Sequence, residues 1–341
     1  MKILVIRRDN IGDLICTTPL FEALRRHYPD AYLAALVNSY NEPAIRGNPF
    51  LNDIFAYTKG KHAVGEAAWQ AHLRRVRIIW KLRRMKFDYV IMTAGGLDAR
   101  SLKLARMLAP RHIIGFNTDK LSSARIDLAV EHGDGSRLHE TEDVFRLLAP
   151  LGISGDIPRL TVVPDADLAR KLRDQLPKPV AQGAGPLVAL HISARKPSQR
   201  WPVENFAALA RRLHAQYAAR FLVFWSPGDE NNAFHPGDDG KAARLLAELS
   251  DLPVAPVRTE HLSELIAGLS LCDLGVLADG GAMHIAAGLG KPLVCFFGNS
   301  GPQRWRPWGV PHELLQQPSL DVVDISVDDA AEAFARLMLR R

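Results

Sequence analysis

Short runs of apolar, often β-branched residues alternate along the chain with stretches in which apolar positions recur every three or four residues. Runs of the first kind predict strands and stretches of the second predict helices. In the first half the predicted strands are 2–7, 32–37, 88–93 and 112–115, and the predicted helices are 14–28, 67–85, 99–108 and 140–151. The segment 177–186, Pro-Lys-Pro-Val-Ala-Gln-Gly-Ala-Gly-Pro, is rich in Pro and Gly, has no periodicity and reads as a linker. The pattern then restarts, with strands at 187–191, 220–225, 274–277 and 293–296 and helices at 203–217, 241–249, 262–269 and 282–289. A last amphipathic stretch, 327–341, predicts a final helix. This alternation predicts an α/β protein with parallel sheets. Its recurrence predicts two similar domains, 1–176 and 187–326, with ligand bound in a cleft between them, at the carboxyl ends of strands.

Composition agrees with that reading and narrows it. The chain has 341 residues, of which 47% are hydrophobic and 23% charged, so disorder, collagen and coiled coil are excluded. Three cysteines (Cys16, Cys272, Cys295) stand far apart with no CxxC pair, which argues against a disulfide framework or structural zinc and for a reducing compartment. The N-terminal apolar run, Ile3–Ile6 between Lys2 and Arg7, is too short for a signal peptide, and no stretch has the roughly 18 apolar residues that span a bilayer. A cytoplasmic protein is expected.

The net charge of +6 points to an anionic partner, and its distribution says more. Residues 1–163 carry 24 basic and 17 acidic side chains, a net of +7, whereas 164–341 carry 19 and 20, a net of −1. Within the first half, 59–111 holds 13 basic and 3 acidic side chains, a net of +10. Such a run is either a solvated helix face or a surface that meets an anion. Its core, 69–86, sets Trp69, Leu73, Val76 and Trp80 along one face among six cations. With Arg74, Arg75, Arg77, Lys81, Arg83 and Arg84 as the six around that face, and Lys86 a seventh at its end, this fits a basic amphipathic helix at an anionic membrane surface, or a helix packed on its own sheet with a basic outer face.

Three strand ends could carry chemistry. The first strand runs into Arg8-Asp9-Asn10-Ile11-Gly12-Asp13 and a helix, the turn that opens onto the ligand crevice of an open α/β sheet. Gly12 permits close approach of a substrate. Asp13 reads either as a helix N-cap or as a general base for a substrate hydroxyl. The strand 274–277 leads into Asp279-Gly280-Gly281-Ala282-Met283-His284, where glycines opening a helix leave backbone N–H groups free for a phosphate or diphosphate. There Asp279 reads as a cap or a ligand, and His284 as a structural residue or a donor. After strand 187–191 comes Ser193-Ala194-Arg195-Lys196-Pro197-Ser198-Gln199-Arg200-Trp201-Pro202, with Arg195, Lys196 and Arg200 suited to neutralising a leaving diphosphate, or basic only for solubility. Carboxylates in Gly228-Asp229-Glu230 could accept from sugar hydroxyls or merely start a turn. The chain has no HExxH, GxSxG, P-loop or dinucleotide fingerprint.

Taken together these segments resemble glycosyltransferase family 9, the lipopolysaccharide heptosyltransferases. The resemblance runs through Ile11-Gly12-Asp13, Thr18-Pro19, 48–54, 87–91, His139-Glu140-Thr141-Glu142-Asp143, 147–152, Arg200-Trp201-Pro202, Asp279 to His284, and Phe297-Gly298 through Arg304-Trp305 to Gly309. It implies a GT-B fold: two Rossmann-like domains, acceptor site in the first, nucleotide-sugar site in the second, and a C-terminal helix crossing back to the first. It implies an inverting, metal-independent transfer with Asp13 as base, and Asn10 and Gly12 beside the acceptor. The donor, ADP-heptose, would lie among Ser193, Arg195, Lys196, Arg200, Glu230, Asp279, Gly280, Gly281, Ala282 and His284. The implied acceptor is an anionic glycolipid of the lipid A–Kdo type at the inner face of the cytoplasmic membrane, with no nucleic acid and no cofactor involved. Two residues depart from the family pattern: Gly280 stands where Ser or Thr is usual, and Gln199 where Lys is usual. Both touch the expected donor phosphates, and Lys196 or Arg195 would have to supply the missing charge. The alternatives are a GT-B nucleotide-sugar epimerase and a non-catalytic sugar- or lipid-binding relative.

Overall fold

The computed structural model describes residues 1–57, 68–95, 99–117, 126–133, 137–229 and 237–340. The chain forms two compact units, Met1–Thr161 and Val162–Arg341. In the first, strands β1 (Lys2–Ile6), β2 (Tyr32–Asn38), β3 (Asp53–Tyr57), β4 (Tyr89–Met92), β5 (His112–Asn117) and β6 (Leu128–Glu131) form a six-stranded sheet of order β3-β2-β1-β4-β5-β6. Every adjacent pair is parallel. Helices α1 (Ile11–Cys16), α2 (Thr18–His27), α3 (Ala68–Met85) and α4 (Ala99–Leu108) lie between strands, and α5 (Glu140–Phe145) follows β6. The second unit contains α6 (Ala166–Gln175) and α7 (Lys178–Ala181), then β7 (Leu187–His191), α8 (Val203–Tyr217), β8 (Arg220–Trp225), α9 (Asp239–Glu248), β9 (Val254–Arg258), α10 (Leu262–Leu271), β10 (Leu274–Ala278), α11 (Gly281–Gly288), β11 (Leu293–Phe297), α12 (Pro302–Trp305), β12 (His312–Gln316) and α13 (Val327–Met338). Its sheet, also parallel throughout, has the order β12-β11-β10-β7-β8-β9. Two doubly wound Rossmann-like units are the expected α/β, GT-B architecture.

Strand order reverses between β1 and β4 in one sheet and between β7 and β10 in the other. Those switch points open a crevice at the strands' carboxyl ends. Covered on both faces, the central strands read as continuous apolar runs; β7 and β11 are buried along their whole lengths. The second core centres on Trp201, whose ring packs on Phe206 and Phe296 at 4.9 and 4.7 Å and whose Nε1 donates to the Ile325 carbonyl at 2.9 Å.

The division falls after Thr161 rather than in 177–186, and that segment contains α7. Its neighbour α6 packs on α10, while the Val162 N–H donates to the Gly288 carbonyl at 3.0 Å, so both belong to the second unit. The final helix α13 packs on α8, β11 and β12 of that same unit. The predicted helix 14–28 is two helices, because Thr17 and Thr18 hydroxyls bond back to the Asp13 and Ile15 carbonyls and Pro19 cannot donate to the ladder.

Candidate active site

The β1–α1 turn is built around a buried cation. Arg7, which follows the apolar strand directly, is 1% exposed, yet its guanidinium meets three carboxylates. Its Nη2 donates to Asp13 Oδ1 at 2.8 Å and to Glu140 Oε1 at 2.7 Å, and its Nε lies 3.2 Å from Asp9 Oδ2. Nη1 donates to the Thr93 carbonyl at the end of β4, which ties the cluster to the sheet's switch point. Burial opposes the Arg7 charge, but Glu140, Asp9 and Asp13 outweigh it and hold the guanidinium above its ordinary pKa. Burial also raises the Asp9 carboxyl above the usual range, with Arg7 offsetting only part of the rise.

Asp13 is not the helix cap. Asn10 occupies the N-cap, exposed, and Asp13 stands three residues on, where its Oδ2 accepts from the Asn10 N–H at 3.2 Å and from Asn10 Nδ2 at 2.9 Å. Both carboxylate oxygens are thereby oriented, one by Arg7 and one by Asn10, while the side chain keeps 13% exposure. Gly12 between them is buried. The turn's backbone is held from the end of β2: Asn38 donates to the Arg8 carbonyl, and Tyr40 and Asn41 donate to that of Asp9. A carboxylate so fixed, with a path to solvent, can accept a proton from a bound hydroxyl.

Glu140 and Arg7 were not singled out among the sequence candidates. Glu140, 2% exposed, opens α5. The preceding His139 caps that helix, its Nδ1 accepting from the Thr141 N–H at 3.0 Å and its own N–H donating to Glu142 Oε2 at 2.7 Å. The signals were present: a cation ending an otherwise apolar strand, and a carboxylate beside a helix cap. Their pairing across 133 positions has no local signature.

In the second unit, loops at the ends of β7, β10 and β11 converge. Gln199 Nε2 donates to Asp279 Oδ2 at 2.9 Å and to Ser300 Oγ at 3.3 Å, and Lys196 Nζ donates to Asn299 Oδ1 at 3.4 Å. A Cβ on Gly298 would lie 2.1 Å from the Ser198 carbonyl oxygen, so these loops touch backbone to backbone. Asp279 does not cap α11; Gly280 is the N-cap, and the helix N-terminus has no side-chain cap bond. The N–H groups of Gly281 and Ala282 open the helix, an arrangement that favours an anion. Around Gly280, whose backbone is nearly extended, a side chain would find open space.

The remaining candidates scatter around this centre. Ser193 Oγ accepts from the Ser226 N–H at 2.9 Å and joins the loops after β7 and β8. Arg200 Nε donates to the Ala194 carbonyl at 2.9 Å, and Arg195 is exposed. Of the two cations offered in place of the family lysine, Lys196 is the one bonded into the cluster. His284 is buried on α11 with its ring edge-on to Trp305 at 6.1 Å. Glu230 lies outside the described residues. Among the described residues, no group of three or more His, Cys, Asp or Glu is placed to hold a metal ion, and no helix is long and apolar enough to cross a membrane.

Comparison with known proteins bears on the family. The family model described as glycosyltransferase family 9 (heptosyltransferase) matches residues 75–320. The lipopolysaccharide heptosyltransferase 3 of Escherichia coli is 26% identical over 305 residues, 87% of this chain and 83% of its own. A family 9 glycosyltransferase from Veillonella parvula superposes over 100% of this chain and 98% of its own with a TM-score of 0.82 at 19% identity. The E. coli ADP-heptose lipopolysaccharide heptosyltransferase II does so over 100% and 99% with a TM-score of 0.76 at 18% identity.

Proposed function

The chain belongs to glycosyltransferase family 9 (heptosyltransferase), and from that premise we propose that it moves heptose from ADP-heptose to a lipopolysaccharide inner-core acceptor, with Asp13 as the base. The E. coli heptosyltransferase II that it resembles in structure is an ADP-heptose enzyme, and both E. coli relatives are lipopolysaccharide heptosyltransferases. The observation that carries Asp13 is its posture: a carboxylate held at both oxygens by Arg7 and Asn10, at the carboxyl end of β1, with solvent access. A sugar hydroxyl is far too weak an acid to ionise at neutral pH, so its proton must pass to a base as attack proceeds. The hydroxyl oxygen forms a bond to the anomeric carbon of the donor, its proton moves to Asp13, and ADP departs with the electron pair of the broken C–O bond. Attack opposite the leaving group inverts the anomeric centre. The departing diphosphate gathers charge, which the N–H groups of Gly281 and Ala282 and the cations Lys196, Arg195 and Arg200 would stabilise.

The test is Asp13→Asn, assayed with lipid extracted from cells that lack the gene. Transfer should fall by about 10²–10⁴-fold while ADP affinity stays within twofold; transfer at the wild-type rate would end the assignment. Mass spectrometry of that lipid names the missing sugar and its position. A nucleotide-sugar epimerase, by contrast, would convert the donor with no acceptor present.

The acceptor side of the proposal rests on α3. Its inner face buries Leu82 with Ile78, Ile79 and Met85 alongside, so it packs on its own sheet. Its outer face nevertheless presents Leu73, Val76 and Trp80 at 44, 48 and 55% exposure, flanked by Arg77, Arg83 and Arg84. Apolar side chains between arginines suit a phosphorylated glycolipid at the inner membrane surface. Binding to vesicles containing about 30% anionic lipid should weaken at least threefold between low and physiological salt; salt-independent binding would count against this contact.

A further inference from the structure

Glu140 lies outside the proton transfer just described, and its burial demands a reason. An ionised carboxylate at 2% exposure is costly unless paired, and its cationic partner Arg7 also holds Asp13. A single nitrogen, Nη2, serves both, with one hydrogen for each carboxylate. If Arg7 faced Asp13 alone in so buried a place, its charge would stabilise the aspartate anion and make it a poor proton acceptor. We infer that Glu140 is a positioning residue for the reaction: by drawing on the Arg7 charge through the shared Nη2, it lets the guanidinium orient Asp13 without suppressing its basicity. The inference rests on the reading of Asp13 as base.

The surroundings leave few other groups to take that part. From β1 and its turn, Asp13 faces Arg7, Asp9 and Asn10; from α5 it is coupled to Glu140 through Arg7. On α1 itself Cys16 is a thiol that burial keeps protonated. On the elements packed beside α1, Glu42 in the 42–44 turn is paired with Arg46 at 3.0 Å, and Glu22 of α2 is paired with Arg26. Asp9 also shares Arg7, but it approaches Nε rather than Nη2 and keeps 28% exposure. Glu140 is thus the buried competitor for the atom that orients the base.

Glu140→Gln keeps the shape and removes the charge. With ADP-heptose and lipid extracted from cells lacking the gene, kcat at neutral pH should fall about 3- to 10-fold, and the acidic limb of the kcat/KM profile should move down by about one pH unit. Donor KM and ADP affinity should stay within twofold. A purely structural role would lower folded protein and every parameter together, without moving the limb. A folded Glu140→Gln enzyme with wild-type kcat and an unmoved limb overturns the inference. Should the glutamine variant not fold, Glu140→Asp replaces it: the retracted carboxylate should lower kcat at unchanged donor KM, and wild-type kcat again overturns it. Asp13→Asn separates the two claims. If it stays active, the base assignment fails; if it is inactive while Glu140→Gln behaves as wild type, only the positioning role fails.

Discussion

The turns after β1 and β10 stand at equivalent places, each beginning a helix at the switch point of a six-stranded parallel sheet. Their chemistry is opposite. The first is filled with side chains: one cation and three carboxylates, interlocked and largely shut away from water. The second is nearly bare, with two glycines and an alanine around an uncapped helix N-terminus. Each turn has an aspartate, but Asp13 is held by a charged guanidinium and Asp279 by the neutral amide of Gln199. A proton acceptor must be oriented to within a fraction of an ångström, and only packed side chains do that. A diphosphate needs room and N–H groups, which glycine leaves open.

The sharpest way to break this contrast is to apply the same change to both turns. Asp13→Asn should cut kcat by about 10²–10⁴-fold and leave ADP binding intact. Asp279→Asn should leave saturated turnover within about threefold and alter donor KM instead, because the carboxylate it removes is bonded to Gln199 rather than poised for proton transfer. Equal kinetic profiles for the two variants would mean that the turns share one task. A smaller effect is expected at Gln199. Gln199→Lys brings an ammonium beside Asp279 and the proposed diphosphate site, and should lower donor KM several-fold at unchanged kcat; a higher KM would show that the amide's bonds to Asp279 and Ser300 matter more than charge.

The smallest effect concerns stability. Burial raises the folded-state pKa of Asp9, so folding favours its protonated form, and the charged form opposes folding as pH rises through that pKa. Asp9→Asn should therefore raise Tm by a few degrees at pH 7 and by less at pH 4. Differential scanning calorimetry at both values checks the sign; an equal gain at each would mean that the carboxylate's charge is not responsible.

How far the fold could be read in advance depended on position in the sheet. All eight predicted strands exist, and all eight are central. The four that were not predicted, β3, β6, β9 and β12, are the four edges. An edge strand is only partly covered, so its apolar run breaks up: β6 alternates between half-buried and exposed, and β9 tolerates Pro256. The same logic divides the site. Asp13 and Asp279 were legible because each sits in a local strand–turn–helix pattern. Arg7 looked like the end of a strand and Glu140 like the first turn of a helix, and only the fold brings residues 133 positions apart onto one nitrogen. The cap, one of the two readings of Asp13, is instead Asn10, which sits where the chain enters the helix in extended conformation.

The contact of Gly298 with the Ser198 carbonyl bears on how such a protein can diversify. With a Cβ there 2.1 Å from a backbone oxygen, any larger residue at 298 must push the loop after β7 away from the loop after β11. The two loops are therefore coupled: a change in the path of one requires a matching adjustment in the other. Substitutions along this edge that keep Gly298 leave both backbones in place and exchange side chains, such as those of Gln199 and Lys196, over a fixed framework.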